Sequence, residues 1–122
     1  MTRRWLPRIG IGVAMVAMST LVACDSGLSD AKSAFHKGRI AEAKTQLVRM
    51  EEESHTWSPR RRAEYALYRG LSHHSLGDRN AAGVWLTEAK AIEDTHPRSL
   101  VDEDRVRLQL ALESLAADSA PR

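Results

Sequence analysis

One thiol and five imidazoles are the side chains of this 122-residue chain best able to do chemistry, and their spacing limits what that chemistry can be. His36, His55, His73, His74 and His96 include no pair three or four positions apart. That separation is what places two ligands on one helical face for a metal such as zinc. His73 and His74 are adjacent and so point to different faces. The sequence holds no glycine-rich phosphate loop and no serine in a nucleophile-elbow pattern. Its acids fit solvation and helix-dipole compensation better than a general acid and base. These patterns argue for a binding protein that is not an enzyme, with no metal site and no cofactor.

The remaining reactive group, Cys24, is the chain's only cysteine, and it stands where an apolar run meets a polar one. Residues 1–8 carry Arg3, Arg4 and Arg8, and residues 9–23 carry no charge. A permanent membrane helix needs about 20 apolar residues, so fifteen is short for a span and suits the hydrophobic core of a secretory signal. Removing this leader takes three of the 18 basic residues, leaving 15 against 16 acidic ones, so a formal charge of +2 becomes −1. The basic character of the whole chain is therefore no sign of nucleic-acid binding.

Leu21-Val22-Ala23-Cys24 resembles the lipobox of bacterial lipoproteins, in which a small-residue cleavage site ends in an obligatory cysteine. The resemblance implies a signal peptide over residues 1–23 and diacylglycerol linked to Cys24. It also implies acylation of the new amino terminus and a location on a membrane of the bacterial cell envelope. Two or three acyl chains anchor effectively permanently, whereas one chain binds marginally. Residues 24–28 then form a short linker that keeps the domain close to the lipid surface.

Past the linker, residues 29–117 read as helix throughout. Ala, Leu, Glu, Lys and Arg dominate, and Gly and Pro fall at element ends. The pattern predicts helices over 29–37, 40–54, 59–76, 80–94 and 100–117, with a frayed tail over 118–122. Gly38 and Gly77 suit the left-handed residue that closes a helix, and Ser58 suits a cap with Pro59 at the first helical position. Ser99 suits a cap ahead of Asp102, Glu103 and Asp104.

Placing Gly38 on Gly77 brings Ala31 onto Gly70, Ala43 onto Ala82 and Leu47 onto Leu86. The fold class that follows is all-α: two antiparallel helical hairpins and a C-terminal capping helix. The cap buries a stripe of Val101, Leu108, Ala111, Leu112 and Leu115. The second copy resembles a tetratricopeptide repeat through Ala66, Gly70 and His73 on its first helix, Gly77 in the turn, and Ala82, Leu86 and Ala89 on its second. The first copy matches through Ala31, Ala34, Gly38, Ala43 and Leu47. The copies lie 39 positions apart, against about 34 in that family, which implies longer second helices here.

The resemblance implies a concave surface lined by the first helix of each hairpin, receiving a peptide or helix. By matched position it would comprise Lys32, Phe35 and His36 from one copy and Glu64, Leu67, Leu71, His74 and Ser75 from the other. Packing between neighbouring helices would use the same apolar positions. Two charge clusters flank the predicted loop: Glu51, Glu52 and Glu53 end one helix and Arg60, Arg61 and Arg62 begin the next. Each opposes its helix dipole at about 0.3–1 kcal/mol per charge. Neutralisation across the loop, with Trp57 stacked on an arginine, accounts for them, and contact of Arg60–62 with an anionic surface is the functional alternative. Arrays of this kind need about three repeats for stability, so self-association or a completing partner is expected. The expected function is a lipid-anchored protein–protein adaptor assisting a secretion, pilus or outer-membrane assembly, with a regulatory subunit of a membrane enzyme as the alternative.

Overall fold

The computed structural model describes the backbone of residues 23–121 and the side chains of residues 26–121. The expected leader and the side chain of Cys24 lie outside the described residues. Among the described residues there are six helices and no strand. They are α1 (Ala23–His36), α2 (Ile40–Arg49), α3 (Glu51–Ser54), α4 (Pro59–Ser75), α5 (Arg79–Thr95) and α6 (Asp102–Ser119).

Local chemistry explains most of the boundaries. Gly38 and Gly77 adopt φ of 79° and 83°, conformations that only glycine takes without strain, and each turns one helix back on the next. Ser58 accepts the Arg61 N–H at 3.4 Å with Pro59 beginning α4, and Asp78 accepts the Ala81 N–H at 3.1 Å to cap α5.

The short connections make two hairpins, α1–α2 and α4–α5. Helix α4 is central and touches α1, α2, α3, α5 and α6. The superposed positions Ala31, Ala43, Leu47, Ala82 and Leu86 are all fully enclosed. At Gly70 the α4 backbone meets α5 so closely that a Cβ would lie 2.6 Å from Leu86 Cγ and 3.0 Å from the Leu86 backbone nitrogen. The hairpin therefore needs the missing side chain at position 70.

The structure departs from the sequence-based expectation at four places. Helix α1 already runs at Ala23, so residues 24–28, expected as a linker, are helical. Leu28 is buried, and a Cβ at Gly27 would come within 3.0 Å of Met50 Sδ, so this first turn is packed against the body of the domain. The helix expected over 40–54 breaks at Met50 (φ −93°, ψ 2°), which places Glu51, Glu52 and Glu53 in the first turn of α3. There the partial positive charge of exposed N–H groups favours carboxylates, so the dipole conflict expected for this triplet is removed.

Ser99 does not cap α6; its hydroxyl donates to His96 O at 2.6 Å, and Val101 occupies the cap position. The turn before α6 is instead organised by Glu93, whose two oxygens accept the Arg98 N–H at 3.0 Å and the Leu100 N–H at 2.8 Å. That clamp holds Arg98 at φ 66°. Val101 is also half exposed and leaves the expected stripe of α6, in which Leu108 and Ala111 are buried and Leu112 and Leu115 partly so. The inward position near the start of α6 belongs to Asp104.

Candidate functional site

Three helices, α1, α4 and α6, bring together most of the residues expected on a groove. Lys32 Nζ donates to Glu64 Oε1 at 2.9 Å, joining α1 to α4. Phe35 meets the Tyr68 ring edge to face at 5.5 Å, and Lys32 lies 5.4 Å from the centre of the same ring. The Tyr68 hydroxyl donates to Asp104 Oδ1 at 3.0 Å, and Arg107 Nη1 donates to the same oxygen at 2.9 Å. Tyr68 has one proton and gives it to Asp104, so its oxygen accepts from His36 Nε2–H at 2.9 Å. Burial, followed by the Asp104 carboxylate, raises the Tyr68 phenol above its usual range, so it remains a donor at physiological pH.

The expected groove residues therefore divide. Lys32, Phe35, Glu64 and His74 are half-buried, and His36 and Ser75 are exposed. Leu67 is fully enclosed and Leu71 nearly so, so both serve packing between helices and present almost nothing to a partner. His74 Nε2 lies 3.4 Å from Ser114 Oγ, extending the α4–α6 contact. The polar pairs on this face cross-link helices; they do not converge on a reacting atom.

A second cluster had no counterpart in the sequence reading. Arg69, on the buried side of α4, donates from Nη1 to Glu51 Oε1 at 2.6 Å and to the Tyr65 hydroxyl at 3.0 Å. The Tyr65 hydroxyl in turn donates to Leu47 O at 2.7 Å. The Arg69 guanidinium lies 4.1 Å from the Trp85 ring centre, while Tyr65 meets both Trp57 and Trp85 edge to face. Burial raises the Tyr65 phenol above its usual value, an effect that Arg69 partly offsets. Glu51 thus pairs with Arg69 and not with the arginine triplet. Of that triplet, Arg60 is exposed, Arg61 stacks 4.2 Å from the Trp57 ring centre, and Arg62 lines a cleft. The available sequence signal was Arg69 standing four residues after Tyr65, within an otherwise inward run.

His73 is buried, and neither ring nitrogen has a hydrogen-bond partner. Burial, and then the neighbouring Arg69 and Lys44, push its pKa below the ordinary histidine value. The Asp78 carboxylate, 3.7 Å from Nδ1, opposes them. Among the described residues no three His, Cys, Asp or Glu side chains gather as a metal site would need.

The cleft beside Arg62 has a volume of about 280 Å³ and lies between the α3–α4 connection and α5, floored by Tyr65, Ala66, Trp85 and Ile92. A shallower continuation of about 160 Å³ follows α5 toward Thr95 and His96. On the other side of α5, Leu108 and Leu112 of α6 underlie a groove of about 440 Å³ rimmed by charged groups.

No known protein family, curated protein or solved structure matches this chain.

Proposed function

We propose that this protein is a bacterial envelope lipoprotein: residues 1–23 are a signal peptide, Cys24 carries the lipid, and a tetratricopeptide-like helical domain acts as a non-catalytic adaptor at the membrane surface. The observation that supports the adaptor role best is the face shared by α1, α4 and α6. There Lys32, His36 and Arg107 surround Tyr68 and Asp104, on helices held in register by the Lys32–Glu64 and Tyr68–Asp104 contacts, and His74 meets α6 at Ser114. A preorganised face of mixed polar and aromatic groups suits a peptide or helix, because little side-chain freedom is lost on binding. The coincidence of small residues at Ala31, Gly70 and Ala82 with the tight helix approaches supports the repeat reading. The exposed Arg60, at the start of α4, would meet anionic headgroups or an acidic partner.

The test is crosslinking in the native envelope, comparing wild type with Cys24→Ala. Capture of one assembly component by the wild type, lost when the anchor is removed, is the expected result. Equal capture by both forms, or a soluble and unlipidated wild-type protein, would refute the reading.

A further inference from the structure

Arg62 and Glu88 both line the cleft and its continuation, yet neither side chain forms an ion pair or hydrogen bond among the described residues. Of the other polar groups of the cleft wall, His55 is exposed at the rim, and the remaining two are consumed internally. Ser54 Oγ donates to Glu51 O, and the Tyr65 hydroxyl is held between Leu47 O and Arg69. What remains available is one permanent cation, one anion and the His55 imidazole bordering an apolar floor, with Val84 on α5 left 66 % exposed beside it.

The floor is also rigid. Trp85 is held by the Arg69 guanidinium over its ring and by the edge-to-face contact with Tyr65, and Arg69 is itself fixed by Glu51. Positions 84, 85, 88, 91, 92 and 95 follow the three- and four-residue spacing of one helical face, so the cleft and its continuation run along α5 as a single channel. At about 1.5 Å per residue this face is about 17 Å long, the length of five or six extended residues or of three helical turns.

We propose that this channel binds a peptide segment of a partner protein that carries an apolar or aromatic side chain between an acidic and a basic residue. The apolar group seats on Trp85 and Ile92, the acid meets Arg62 and the base meets Glu88. Charge complementarity selects this occupant: a uniformly acidic partner leaves Glu88 facing a like charge, and a uniformly basic one does the same to Arg62. A purely apolar partner desolvates both charges without replacing their water, which costs more than the apolar contact returns. A fixed aromatic platform bordered by unpaired charges also matches the residue types that dominate binding energy at protein interfaces. This site lies on α5, away from the α1–α4–α6 face, and requires no lipid anchor.

The test uses the full chain, purified in mild detergent, against a phage-displayed library of random twelve-residue peptides. The expected consensus places an apolar or aromatic residue between an acid and a base. Arg62→Gln and Glu88→Gln should each weaken the recovered peptide by about tenfold, with unchanged thermal unfolding, while Glu52→Gln outside the cleft should not. The reversed pair Arg62→Glu with Glu88→Arg should favour the peptide whose two charges are exchanged. Labelled-protein NMR should place the largest shifts at Trp85 and Ile92. Failure to enrich any peptide, insensitivity to both neutralising substitutions, or shifts centred elsewhere would overturn the proposal. Loss of the adaptor face through Lys32 or His36 substitutions should leave this binding intact, which separates the two readings.

Discussion

Gly70 and Gly83 are both helical glycines of the α4–α5 hairpin, and replacing each by alanine should change stability in opposite directions. Both substitutions gain the same intrinsic helix preference, about 0.8–1 kcal/mol. Gly83 has no neighbouring atom within 4 Å of an added Cβ, so Gly83→Ala should keep that gain and raise stability by about 0.5–1 kcal/mol. At Gly70 the new Cβ would lie 2.6 Å from Leu86 Cγ, 2.7 Å from its Cδ2 and 3.0 Å from its backbone nitrogen. Rotating Leu86 about χ1 would move its Cγ and Cδ2 but not its backbone nitrogen, and the fully enclosed side chain has no free space to turn into, so the two helices must separate. Overpacking costs about 1–3 kcal/mol, and contacts below 3 Å against an enclosed side chain put this site in the upper half of that range, so after the propensity gain Gly70→Ala is destabilised by about 1–2 kcal/mol. For a domain of this size each kcal/mol moves the melting temperature by about 4–8 °C. Paired urea and thermal melts followed by circular dichroism read both effects. If Gly70→Ala were as stable as wild type, the close approach of α4 and α5 described above would be wrong. If Gly83→Ala were also destabilised, the logic of the comparison would fail.

Two further perturbations follow from buried polar groups. His73 has a lowered pKa in the folded state, so the unfolded chain binds its proton more readily. Its contribution is neutral above about pH 6.5, and stability falls as the pH drops below that value. The stability of His73→Leu relative to wild type should therefore increase from neutral pH toward pH 5 in urea melts, and a difference that stays constant with pH would refute this. Tyr68→Phe removes the hydroxyl that links Asp104 to His36 while leaving Asp104 its contact with Arg107. The expected loss is about 1–3 kcal/mol, with a smaller loss in the Asp104→Asn background. Additive losses in the double mutant would mean that the Tyr68–Asp104 contact is not a coupled one.

Helix content was legible in the sequence because its determinants are local. Gly38, Gly77, Ser58 and Pro59 act within one or two turns, and each does in the structure what its residue type suggests. The break at Met50 was not legible, because continuous helix preference runs through residues 40–54. The new helix start gives three carboxylates a favourable dipole end and brings Glu51 to Arg69 eighteen positions away. The clamp of Glu93 on Arg98 and Leu100 was hidden for a related reason: a side chain late in α5 replaces the local serine cap that position 99 offered. The α1–α4–α6 face was located by repeat position, but Asp104 and Arg107 lie beyond the repeats and escaped notice. Leu67 and Leu71 were matched correctly to a helix and turn inward, since α1 and α6 both close over α4.

The early start of α1 alters what the proposed anchoring would mean for the domain. A linker over residues 24–28 would let the helices tumble above a membrane, whereas a helix that already runs at Ala23 and packs at Gly27 against Met50 transmits the anchor's position directly. Gly27 lies three positions after Cys24, about 4.5 Å of helix. Met50 leads straight into α3, which pairs with Arg69 through Glu51 and supplies Ser54 to the wall of the cleft. The position proposed for lipid attachment, the Met50 break and the Arg62–Glu88 channel are thus joined by contiguous packed elements. Under that anchoring, a peptide in the channel would be read at the lipid surface, and the charge order it must present would be fixed relative to the membrane by α1 alone.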